Sequence, residues 1–129
     1  MKAKAHKKLT LDKTIKRVEK YDEYVNMDIL NKYGMLGVKA LYEHTPKRTG
    51  LTASSWTYSI SISPSTVSLN FKNTNIQNGV PIAIMIEYGH ATPHGGWVEG
   101  RPYINKALNP VLKDMLAEIR ERKKSKGGR

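Results

Sequence analysis

The sequence predicts an α+β domain, with N-terminal helices and a C-terminal helix packed on a small antiparallel β-sheet. Three observations lead there. Apolar residues recur at steps of three and four between positions 12 and 43. They recur at steps of two between 56 and 71, and at steps of three and four again from 104 to 119. Runs of helix, then strand, then helix favour helices gathered on one face of an antiparallel sheet.

The 129 residues set the scale of one domain. We expect a basic arm over 1–8, a single domain over 9–124 and a basic tail over 125–129. The first helical stretch runs from about Asp12 to Tyr24, with Ile15, Val18, Tyr21 and Val25 along one stripe. A second helix, capped by Asn26 or Asp28, runs to about Glu43. It buries Ile29, Leu30, Tyr33, Leu36, Ala40 and Leu41. Gly34 and Gly37 lie inside it and weaken it, so something must pack closely there, in our reading the sheet. His44 falls at the helix end, where a charged imidazole is favourable. Pro46 ends the helix by excluding the α conformation from the residue before it.

Trp56, Tyr58, Ile60 and Ile62 then alternate with Thr57, Ser59 and Ser61. After Ser63-Pro64-Ser65, Val67, Leu69 and Phe71 alternate with Ser68, Asn70 and Lys72. This reads as a hairpin with one buried face. Asn73–Gly79 reads as a polar loop. Val80–Tyr88 fits a strand by its alternating isoleucines and a short helix by Pro81. Gly89–Gly100 carries four glycines in twelve residues and reads as a long loop. The last helix begins between Asn105 and Pro110, and Pro110 either opens it or kinks it.

The charge is +11 overall and gathers at the two ends. Residues 1–20 and residues 101–129 each carry a balance of +6, whereas 21–100 carry −1. Lys2, Lys4, Lys7 and Lys8 at one end, and Arg122, Lys123 and Lys124 at the other, are candidate contacts to DNA or to an acidic protein. There is no cysteine, which removes disulfides and thiolate metal sites. No apolar run approaches the ~18 residues of a membrane-spanning helix, so no membrane partner is expected.

Glu87, His90 and His94 form a candidate divalent-metal set, and the same three residues would serve a metal-dependent hydrolase. They sit on a glycine-rich segment rather than one helical face, so no metal or cofactor is expected. Glu87 and Glu99 flank that segment as a candidate acid–base pair. There is no Gly-x-Ser-x-Gly elbow and no phosphate-binding glycine motif. Trp56 and Tyr58 could stack on bases, but their register with Ile60 and Ile62 places them in the core.

Two segments carry a resemblance. The first is Thr45-Pro46-Lys47-Arg48-Thr49-Gly50-Leu51-Thr52-Ala53-Ser54-Ser55-Trp56. The second comprises Ile86-Glu87-Tyr88-Gly89-His90 and then Gly95 through Ala107, including Arg101-Pro102-Tyr103. In order and spacing they resemble the HK97 gp10-like family of tailed-bacteriophage neck and tail-completion (head–tail joining) proteins. His90 departs from the family's common threonine, and the basic ends are stronger than the family would suggest. The resemblance implies a non-enzymatic virion protein, made in the host cytoplasm and placed in the phage neck or tail. Its implied partners are copies of itself in a hexameric ring, connector or neck proteins, and tail-tube or tail-terminator proteins. Non-specific contact with DNA in the channel is a further implied contact. Pro46, Thr49, Gly50 and Gly89 would shape the turns. Gly95, Gly96, Trp97, Val98 and Arg101 would form the subunit interface. We also expect Arg101 to pair with Glu87 or Glu99. The alternative reading is a small basic nucleic-acid-binding protein.

Overall fold

The computed structural model describes residues 13–14, 24–46, 50–64 and 66–127, and these form the α+β arrangement expected. The main sheet has strand order β1-β3-β2, built from β1 (Lys13–Thr14), β2 (Trp56–Ile62) and β3 (Val67–Asn73). Helices α1 (Met27–His44) and α3 (Ile104–Gly127) pack together and against it. Between β3 and α3 lie two small two-stranded ribbons and a short helix. These are β4 (Ile76–Gln77) with β5 (Val80–Pro81), then α2 (Ile82–Tyr88), then β6 (Gly89–Ala91) with β7 (Trp97–Glu99).

Helix α1 keeps the predicted bounds. The Asn26 side chain accepts a hydrogen bond from the Ile29 amide at 3.3 Å, the geometry of an N-cap. At the other end Thr45 leaves the helix in an extended conformation, as a residue before proline must. Its amide still bonds Leu41 O, and its hydroxyl donates to the same carbonyl at 2.6 Å. That hydroxyl also accepts from the Trp56 indole at 3.0 Å, tying the helix end to the start of β2. Both side chains are buried, so Trp56 belongs to the core and is not available to stack on a base.

The α1 glycines are sites of close approach by the sheet. A methyl group at Gly34 would overlap the Tyr58 ring, and one at Gly37 would overlap the Phe71 ring. Tyr58 then runs on to hydrogen-bond Asn31 at 2.7 Å. Strands β2 and β3 pair without a bulge from Trp56↔Asn73 to Ile62↔Val67. On β3 the alternation is as predicted, with Val67, Leu69 and Phe71 fully enclosed. The core is completed by Val25, Ile29, Leu30 and Leu41 and by Leu108, Met115 and Ile119 of α3.

The structure changes some local expectations and settles others that were open. Lys13–Thr14 is a strand paired with Phe71 and Asn70, not the start of a helix. The rest of that predicted helix up to residue 23 lies outside the described residues. The loop Asn73–Gly79 closes a ribbon, with Asn78 at φ 53° and Gly79 at φ 76° in the turn. Two successive positive φ angles are the requirement of a type I′ hairpin turn, and Asn-Gly is its preferred sequence. The ambiguous Val80–Tyr88 is a two-residue strand followed by a helix, with Pro81 in the capping position. Finally, α3 starts at Ile104, earlier than predicted, and carries Pro110 inside it. Pro110 is exposed, so the carbonyl left without a donor one turn earlier can turn to water. The helix runs to Gly127, so residues 125–127 extend it where a tail was expected.

A charged link joins the two long helices. Glu118 of α3 accepts from Tyr33 Oη at 2.6 Å and from Lys32 Nζ at 2.9 Å, and pairs with Arg122 at 2.8 Å. The Tyr33 hydrogen bond, then the lysine, hold its carboxyl down at about 2. Burial and the neighbouring carboxylate push the Tyr33 phenol up to about 12. Because the Glu118 value is lower in the folded chain, its contribution is present above about pH 4.5 and is lost as the pH falls toward 2. The group is partly exposed, so screening limits that contribution to roughly 1–2 kcal/mol. Urea titrations of Glu118→Gln and parent are therefore expected to differ by that amount at pH 7 and to converge as the pH falls to about 2.

Candidate functional site

The second motif-bearing segment folds into one small unit at the N-terminus of α3. That terminus has no Ser, Thr, Asp or Asn to cap it, because Arg101-Pro102-Tyr103 precedes Ile104. The cap comes from a distance. Glu87, near the end of α2, is buried, and its Oε1 accepts from the Tyr103 amide at 2.9 Å and the Ile104 amide at 3.1 Å. A carboxylate at a helix N-terminus satisfies orphaned N–H groups and complements the helix dipole. The adjoining Tyr103 phenol is enclosed as well. Burial, offset by the Thr45 hydroxyl beside it and reinforced by the Glu87 charge, pushes it up to about 12.

This use of Glu87 decides two earlier expectations. Among the described residues no group of three or more His, Asp or Glu side chains is placed to hold a metal, so Glu87, His90 and His94 are not assembled as one. Glu87 faces the helix end, His90 sits in β6 and His94 is exposed in the turn. The predicted ion pair of Arg101 with Glu87 or Glu99 is also absent among the described residues. Glu87 bonds two backbone amides in its place, while Arg101 is held through its own backbone, its amide donating to Ile86 O at 2.7 Å.

The Gly89–Gly100 segment is a β-hairpin rather than an irregular loop. Gly89 pairs with Glu99, His90 with Val98 and Ala91 with Trp97. The turn is closed by Thr92, whose amide and hydroxyl engage Gly96 at 2.9 Å each. Gly89 has φ 88°, and a side chain there would meet Val98 O at 2.6 Å and the Trp97 ring at 3.0 Å. Gly100 is as tightly placed, 2.6 Å from Glu87 O for any added β-carbon. The glycines thus let α2 pass directly into the hairpin, with Trp97 lying across the backbone at Gly89.

All five predicted interface residues, Gly95, Gly96, Trp97, Val98 and Arg101, are exposed. Trp97 is 61% exposed, and so is Tyr88 at the end of α2, at 63%, which sequence reasoning placed only within the second motif. The signal for Tyr88 was its place just before Gly89, at the end of a helix too short to bury a whole face. On the other side of the hairpin is a cleft of about 510 Å³. Pro46 and Thr52 from the first motif form one wall, and Ile82, Met85 and Val98 from the second form another. His90 also lines it, and its Nδ1 is enclosed without a hydrogen-bond partner.

The remaining predicted positions are less organised. Gly50 adopts φ 80° in open space, as a turn glycine can, and Thr49 lies outside the described residues. Thr52 ties the turn to the end of β3: its carbonyl accepts from Asn73 Nδ2 and its hydroxyl from Asn75 Nδ2, both at 2.8 Å. Arg122 pairs with Glu118, Lys123 lies 5.9 Å over the Tyr24 ring, and Lys124 is exposed. Lys2, Lys4, Lys7 and Lys8 lie outside the described residues. Among the described residues no helix is long and apolar enough to cross a membrane.

With this geometry in hand, the chain matches no protein-family model, no curated protein and no solved structure.

Proposed function

We propose that the chain is a structural virion protein of a tailed phage, a ring subunit at the head–tail connection or the tail terminus. The observation that carries this reading is the β6–β7 hairpin. It holds Trp97, Val98 and the adjacent Tyr88 in solvent on a rigid base, with Glu87 clamping that base to α3. Exposed aromatic side chains on a well-anchored element mark a protein–protein contact. The order and spacing of the two motif segments supply the phage assignment. Both segments line the same cleft, which supports treating them as one functional unit.

On this reading the partners are further copies of the chain, a connector or neck protein, and a tail-tube or tail-terminator protein. The protein works in the host cytoplasm during assembly and then in the virion. The basic turns at the end of α3 face DNA in the channel or an acidic neighbour. Catalysis forms no part of the proposal, and no cofactor does.

Purified chain mixed with purified tails is expected to give a ring at one tail end by negative-stain microscopy, and to raise the yield of joined particles. Tails that stay bare and joining that proceeds equally well without the chain would overturn the assignment. DNA retention that survives removal of both basic ends, with no binding to tails, would favour the nucleic-acid-binding alternative.

A further inference from the structure

We infer that Trp97 of one copy seats in the Pro46–Met85–Val98 cleft of the next, so that copies associate head to tail. The inference rests on the reading of the chain as a self-assembling subunit and specifies which surfaces meet.

The cleft and the indole are complementary in shape class and in chemistry. Pro46, Ile82, Met85 and Val98 give the cleft an apolar part, and Glu99 and Arg101 also line it. Trp97 is among the largest apolar side chains left in solvent. An indole is mostly apolar surface with one hydrogen-bond donor. Glu99 lines the cleft, and its carboxylate can accept from that donor.

Trp97 is poorly placed to fill its own cleft. Trp97 is not among the residues that line the cleft, although Val98 and Glu99 of the same strand are. The Trp97 ring lies the other way, across Gly89. Knob and hole are therefore different surfaces of one molecule. Such a pair makes a heterologous contact, which closes into a ring or runs on as a filament and does not stop at a two-fold dimer. A second copy is the occupant, because the chain itself carries the matching knob.

Disulfide trapping tests this in a chain that has no cysteine of its own. One copy carries Ala91→Cys, directly across the hairpin from Trp97, and another carries Met85→Cys in the cleft. Melting curves that match the parent establish that both are folded. Mild oxidation of the mixture is expected to give the mixed dimer. Adding Trp97→Ala to the Ala91→Cys copy is expected to cut its yield by about tenfold or more. The inference is overturned by an absent mixed dimer, by a yield indifferent to Trp97, or by Ala91→Cys copies coupling chiefly with each other. The Trp97→Ala chain is also mixed with purified tails. If it completes them as well as the parent does, the cleft contact fails and the virion reading stands. If trapping depends on Trp97 but the parent chain ignores tails, the contact stands and the virion reading fails.

Discussion

Glu87→Ala is expected to lower stability by roughly 2–3 kcal/mol, a large effect for one residue of a short helix. The carboxylate satisfies the amides of Tyr103 and Ile104, two residues that are themselves buried. Removing it leaves two enclosed donors with no acceptor and removes the negative charge from the helix N-terminus. For a domain of this size the thermal midpoint should fall by roughly 6–15 °C, measured by far-ultraviolet circular dichroism. Glu87→Gln keeps an acceptor oxygen and loses the charge, so its fall should be about half as large. A midpoint unchanged by Glu87→Ala would show that the carboxylate does not hold the helix. Equal losses from both variants would assign the effect to charge alone.

Gly37→Ala should also destabilise, against the usual sign. In an ordinary helix that substitution contributes about 1 kcal/mol of stability. Here the added methyl group overlaps the ring of Phe71, which is fully enclosed on the central strand, and would itself stand 3.3 Å from Leu108. The ring has nowhere to move, and overpacking of this kind costs about 1–3 kcal/mol. Gly34→Ala meets Tyr58, which is only half-buried on an edge strand and can swing out with loss of its Asn31 bond. Urea midpoints should therefore fall more for Gly37→Ala than for Gly34→Ala. Phe71→Leu combined with Gly37→Ala should recover at least about 1 kcal/mol relative to additive losses. Simple additivity would mean that helix and sheet separate to admit the methyl group.

These two sites differ in how far the sequence disclosed them. Gly34 and Gly37 inside an otherwise periodic helix announced a close approach, and the alternation of Val67, Leu69 and Phe71 supplied the surface that approaches. Helix α1 was legible to within a residue because Asn26 and Thr45-Pro46 are local signals. The capping role of Glu87 was missed, and an ion pair with Arg101 expected in its place, because its bonding partners are sixteen and seventeen residues away. One clue was available: α3 begins without a local cap, so some acceptor had to come from elsewhere. Asn78-Gly79 was an open signal for a hairpin and was passed over as a polar loop. The β6–β7 hairpin gave no such signal, since its three-residue strands are shorter than any window in which periodicity shows. The strand at Lys13–Thr14 was hidden by helical spacing further along the same segment, because pairing with β3 is a long-range choice.

The two tryptophans occupy opposite environments, and that makes the molecule its own reporter. Trp56 is 4% exposed, with its indole N–H held by Thr45, whereas Trp97 is 61% exposed. Their emission should separate into a blue component, shielded from a dissolved quencher, and a red component open to it. Loss of the fold reddens the first. Capture of the hairpin by any partner shields the second and leaves the first unchanged. Unfolding and assembly can thus be followed in one cuvette, with no label attached.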